Sequence, residues 1–274
     1  MPVTLIENGY GKQAVRLVTV YRGAARHELK DVTVAIRFEG DFAVAYTEGD
    51  NREVFPTDTM KNTVYALAAQ HPFEDIEDFG LALTDHFLES SPRASAVRVD
   101  LAEHLWEPIE AHSFRKAGSE RRTAVVTRDR EKATVLAGLE DLVVMKTAKS
   151  AFEGFPRDRY TTLREASDRL LATAVRATWR YSRPSVAFGN LWHEVRRILL
   201  EAFAEHDSRS VQQTLYAMGE AVLETLDVEE IHIAMPNLHH LPVDLTPFGL
   251  ENRNEIFVAT AEPYGLIEGT LKRA

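Results

Sequence analysis

With 274 residues, 45% hydrophobic and 27% charged, the chain has the composition of a globular protein and is long enough for two cores. A net charge of -10 argues against a nucleic-acid partner, and the absence of cysteine excludes disulfides, thiolate nucleophiles, Fe–S clusters and cysteine-based zinc sites. No apolar run reaches bilayer length, residues 1–8 lack signal-peptide character, and Lys272-Arg273-Ala274 is no peroxisomal address; these features lead one to expect a cytoplasmic protein with no membrane partner.

In chain order, residues 15–22 are rich in β-branched side chains and read as a strand. Val32, Val34, Ile36 and Phe38 alternate with smaller or polar residues, which predicts a strand with one buried face, joined to the first through a hairpin at 23–26. A helix is expected to start near Thr57-Asp58, whose oxygen-bearing side chains would cap it, and a second covers about 76–88. Shorter elements follow, closing in a hairpin that includes 122–128. The second half repeats the plan. Strands at 132–146 and 170–180 precede two helices at 191–206 and 211–226, each with an apolar stripe at helical spacing. Ile231, Ile233 and Met235 then alternate as a strand, and 255–271 returns to close the sheet. A short echo, Thr63-Val64-Tyr65-Ala66 against Thr214-Leu215-Tyr216-Ala217, is consistent with a duplication whose halves are 1–131 and 132–274. The predicted architecture is α+β: two antiparallel sheets, each with its helices on one face and with sheet edges left open to association.

Two motifs point elsewhere. The segment from Gly9 to Ala14 matches the glycine pattern of dinucleotide-binding loops, but that mechanism needs a helix N-terminus directly afterwards, and a strand follows here. His239 and His240, near Asp244, resemble a metal-binding cluster, yet neighbours on an extended chain face opposite ways. No metal is expected.

Several segments together resemble the urate oxidases. They are Tyr10-Gly11-Lys12; the stretch from Thr57 to Tyr65; the run Phe152-Glu153-Gly154-Phe155-Pro156-Arg157-Asp158 continuing through Tyr160 to Asp168-Arg169; and Ser210-Val211-Gln212-Gln213-Thr214 with Pro236-Asn237-Leu238-His239-His240. Pro263-Tyr264-Gly265 also fits. These segments stand in family order across nearly the whole chain. The resemblance implies two tandem tunnelling-fold (T-fold) domains per subunit and a homotetramer with active sites at subunit interfaces. It also implies oxidation of urate by O2 and water to 5-hydroxyisourate and hydrogen peroxide, with no cofactor.

It further implies roles that suit the residue chemistry. The planar guanidinium of Arg169 would grip one edge of the flat urate anion, where an ordinary Arg after an Asp would sit in an ion pair. Gln212 would read another edge with its donor and acceptor, Phe152 would stack on the purine face, and Val211 would present an apolar wall. The Asp58 amide would meet the five-membered ring, while the Thr57 hydroxyl and Asn237 would hold O2 and then water above it. Lys12, Thr57 and His239 would form the proton relay, with urate itself supplying the electrons. Leu238 departs from the family's usual Lys before the relay histidine, which leaves His240 as a competitor to His239. Two other readings are a different tunnelling-fold purine or pterin enzyme and a catalytically silent purine-binding oligomer.

Overall fold

A computed structural model describes residues 3–183, 186–260 and 262–273. The chain divides into two compact units, Met1–Gly138 with Arg180–Trp192, and Leu139–Trp179 with His193–Ala274.

In the first unit, β1 (Tyr10–Arg22) turns back at 23–26 into β2 (His27–Gly40). A short helix α1 (Ala43–Thr47), then α2 (Thr57–Gln70) and α3 (Ile76–Ser90), lead to β3 (Ala94–Glu110) and β4 (Ser113–Asp129). The strands pair antiparallel in the order β1-β2-β3-β4. The alternation in β2 does what its period dictates. Val32, Val34, Ile36 and Phe38 are fully buried in one cluster with Met60 and Val64 of α2 and Phe79, Leu83 and Phe87 of α3. Each large side chain so buried contributes about 1.5–3 kcal/mol. On the opposite face Asp31 accepts two bonds from Arg16 (2.9 and 2.8 Å) and one from Trp106 (3.1 Å). The expected short elements of residues 94–129 are instead two strands of 17 residues each. Alternating burial in β3 fades beyond Leu105, so the hairpin arms reach past the core and lose the period-2 signal.

Gly11 is explained without any cofactor. A Cβ there would lie 1.8 Å from the Ile36 carbonyl oxygen, so β1 and β2 can approach only because the residue is glycine.

The second unit takes in most of β5 (Ala133–Lys146) and β6 (Leu171–Tyr181), most of α4 (Phe188–Glu205), and α5 (Val211–Thr225), β7 (Val228–Pro236), β8 (His239–Pro242), β9 (Phe257–Thr260) and β10 (Leu266–Lys272). Its main strands follow the order β5-β6-β7-β10, and β8 and β9 form a separate two-stranded ribbon. The predicted stripes are buried at Val195, Ile198, Leu199 and Phe203 on α4, where Leu191 at the start of the stripe is half-buried, and at Val211, Leu215, Met218 and Val222 on α5. The segment expected to close the sheet as one element is two: β9 pairs with β8, and only β10 returns to β7. Between β9 and β10 the chain bends at Glu262 and Pro263, which interrupts the strand.

β1 ends the strand order of the first unit and β10 that of the second, and each carries a groove against a helix. In the first unit a cavity of about 650 Å³ is lined by Val18, Val20, Tyr65 and Phe73. In the second, one of about 960 Å³ is lined by Leu215, Tyr216 and Leu271. The tyrosines of the sequence echo thus occupy matching places, each on the helix beside its unit's outer strand. Among the described residues, no helix is long and apolar enough to cross a membrane.

Candidate active site

Phe152 and Arg169 are brought together in the second unit by a loop that folds back on itself. Phe152 and Ala166 exchange backbone bonds of 2.8 and 3.1 Å, and the Arg169 amide donates to Ser150 at 2.7 Å. The Arg169 guanidinium carbon lies 5.1 Å from the centre of the Phe152 ring. Asp168 does not pair with it; its carboxylate accepts from the Ser150 amide at 3.1 Å. Arg169 is half-buried, its Nε has no hydrogen-bond partner, and burial alone draws its pKa below the ordinary value. An unmatched donor held out of water costs about 1–3 kcal/mol, so the guanidinium is held here against its own solvation rather than for stability.

The start of α5 is tied to the same loop through three hydroxyl-bearing residues. The Ala151 amide donates to Ser208 at 2.7 Å, and the Ser208 amide to Lys149 at 2.9 Å. The buried Ser208 hydroxyl donates to the Ser210 carbonyl (3.1 Å) and accepts from Thr214 (2.7 Å). Ser210 then caps α5, its Oγ accepting from the Gln213 amide at 3.2 Å. This clamp sets Val211 as the buried first residue of the helix and leaves Gln212 exposed beside it. Sequence reasoning passed over Ser150 and Ser208; the Ser-x-Ser spacing just before a helix was the available signal.

Asn237 joins this end of the unit. It bridges Thr173, its amide donates to Gly265 at 2.8 Å, and the next amide donates to Ala172 at 2.8 Å, close in sequence to Arg169. Of the two histidines, His240 has Nδ1 at 2.9 Å from the Leu238 carbonyl. His239 lies opposite Thr260 across the β8–β9 ribbon and points to the other face.

Lys12, Thr57 and Asp58 form a second group, in the first unit. A β-bulge falls between Lys12 and Val15, with Ala14 at a φ of 57°. Lys12 pairs with Ile36 and Val15 with Val34, so both lie on the helix-bearing face. In a regular strand residues three apart point opposite ways; the bulge is what turns Lys12 toward α2. The Tyr10 hydroxyl accepts from the Phe55 amide at 2.8 Å and fixes β1 against the approach to that helix. The helix starts at Thr57 as expected, but neither predicted cap acts. Pro56 is the N-cap and gives no side-chain bond, and Thr57 and Asp58 are exposed in the first turn. The Asp58 carboxylate is taken instead by Lys61 (2.5 Å) and Asn62 (3.0 Å). Its pKa is lowered first by the bond and charge of Lys61, then by Asn62 and the charge of Lys12. The first-turn amides therefore face outward without intrahelical acceptors.

The chain is similar to known proteins over nearly its whole length. The family model described as uricase matches residues 8–128 and 135–268. Curated relatives named uricase include that of Arthrobacter globiformis, 47% identical over 99% of this chain and 90% of its own length, and that of Dictyostelium discoideum, 39% identical over 99% and 98%. The crystal structure of uricase from Arthrobacter globiformis superposes with a TM-score of 0.96 over all of this chain and 96% of that one. The α+β tunnelling fold expected from the sequence is the fold of this chain.

Proposed function

Since the chain belongs to the uricase family and is accordingly a urate oxidase, we propose that it converts urate, O2 and water to 5-hydroxyisourate and hydrogen peroxide without a cofactor, at sites shared between subunits of a homotetramer. The observation that carries the binding half of this reading is Arg169, half-buried against Phe152 with no carboxylate partner. Arg169 and Gln212 grip the edges of the urate anion, Phe152 stacks on its face, and Val211 walls the pocket. Thr57 and the Asp58 amide, at the positive end of α2, meet the opposite side of the ring. Thr57 and Asn237 hold O2 and then the water that attacks the oxidised ring.

Two electrons pass from urate to O2, and the two protons that complete the peroxide leave through Lys12, Thr57 and His239. The bulge that turns Lys12 to the helix face supports its place in this relay. His239 is chosen over His240 because the latter's ring is held at the Leu238 carbonyl. The halves 1–131 and 132–274 are read as two copies of one domain, a reading supported by the matched grooves with Tyr65 and Tyr216. The outer strands β1 and β10 offer edges through which copies can close a ring.

The test is direct. Purified protein mixed with urate in air should lose urate absorbance and gain peroxide in equal amounts. Absence of both would overturn the assignment.

A further inference from the structure

The loop that carries Phe152 contains a second aromatic ring and a second guanidinium that the reaction described above does not use. Phe155 stacks on Phe152, with centroids 5.0 Å apart and planes within 14° of parallel. The Arg157 guanidinium carbon lies 5.7 Å from the centre of the Phe155 ring, and Arg157 donates to the Leu163 carbonyl at 3.1 Å. With Arg169 at 5.1 Å from the Phe152 centre, the chain of contacts runs Arg157, Phe155, Phe152, Arg169. Two cations thus flank an aromatic pair. Neither ring belongs to the hydrophobic core: both are half-buried, and the loop holds itself by its own bonds. Those bonds include Gly154 to the Glu165 carboxylate at 3.2 Å and the Asp158 turn closed by Thr161.

We propose that Phe155 and Arg157 are positioning residues for purine binding, acting through Phe152 rather than touching substrate. This rests on the reading of Phe152 as the stacking ring. A phenylalanine in a loop outside the sheet would rotate about two side-chain torsions when free, and a substrate stacking on it would have to stop that motion at each binding event. Phe155 packs parallel to it and stops the motion beforehand. Arg157 holds Phe155 by a cation–π contact and closes the loop through Leu163, so the pair is clamped from outside. Its work is spent on binding, because the ring is equally ordered in the ground state and in the transition state.

The experiment compares Phe155→Leu, Phe155→Tyr and Arg157→Ala in the full-length protein, reading KM and kcat for urate and Kd for a non-oxidisable purine analogue. Leucine keeps bulk but not the flat ring, and tyrosine keeps the ring. Phe155→Leu should raise KM and analogue Kd about 3- to 10-fold with kcat nearly unchanged, and Arg157→Ala should do the same to a smaller extent. Phe155→Tyr should bind as the wild type does. Unchanged Kd in Phe155→Leu would overturn the proposal, as would tighter binding, which would mean that Phe155 competes with substrate for the Phe152 face. A fall in kcat at constant KM would place the residue in the chemistry instead and equally overturn it. Wild-type turnover of urate reports separately on the reaction, and the ratio of analogue affinities reads the stack even if that turnover is absent.

Discussion

In the proposed reaction the two units of the chain carry different halves of the chemistry, and they are built differently. The second unit holds the proposed recognition residues on a rigid frame: Arg169 is half-buried against Phe152, and the start of α5 is clamped by Ser150, Ser208 and Thr214. The first unit holds Lys12 on a bulged strand and the exposed first turn of α2, with Asp58 occupied by its own helix. One unit presents a guanidinium beside an aromatic pair, and the other a lysine and outward-facing amides. The contrast teaches that binding and proton transfer should separate cleanly under mutation.

Lys12→Met is the sharpest way to break this division. It should lower kcat by about 100-fold or more, the usual scale for removing an acid–base group, while leaving the Kd of a purine analogue close to wild type. Loss of analogue binding would move Lys12 to the recognition side. Arg169→Ala should do the reverse. Calorimetry should show analogue affinity reduced about 10- to 100-fold, as expected for a charge-assisted hydrogen bond lost from a half-buried site. Unchanged affinity would remove Arg169 from the pocket.

Ser208→Ala sharpens the comparison within the second unit. It leaves Thr214 with its weaker bond to the Ser210 carbonyl at 3.3 Å and should destabilise the clamp by about 1–2 kcal/mol, measured by chemical denaturation. Affinity should weaken with it, and the Lys12-dependent step should not. The smallest effect concerns pH. Burial first, then the charge of Lys146, push the His206 imidazole below its ordinary 6.5. The unfolded chain therefore takes up this proton before the folded one. The contribution is present above 6.5 and is lost as pH falls through the folded value. His206→Gln should flatten the melting temperature across the acid side of neutrality; an unchanged slope would show that other groups govern it.

Much of this was legible in the sequence, for reasons that can be named. The alternation from Val32 to Phe38 has only one period that fits, and the stripes of α4 and α5 only another, so strand and helices were determined locally. The long β3–β4 hairpin was not, because its outer arms leave the core and need no alternation. The resemblance supplied Phe152 and Arg169, but it could not show that Arg169 stands unpaired, since Asp168 beside it suggests an ion pair. Only the fold sends that carboxylate to the Ser150 amide. Thr57 and Asp58 looked like helix caps by composition; Pro56 takes the cap position, and Lys61 and Asn62 take the carboxylate. The bulge at Ala14 was equally invisible, because alanine carries no signature of a positive φ.

In the proposed assembly the Lys12 group of one subunit completes the Arg169 group of another. The most direct measurement is the urate oxidation rate, at urate well below KM, of hybrids made by co-expressing Lys12→Met and Arg169→Ala chains, each strongly impaired alone under that condition. Shared sites predict that random assembly restores about a quarter of wild-type activity, from sites that draw both intact residues from different chains. Hybrids no more active than the two parents would contradict it, because a site contained within one chain always carries one of the two lesions.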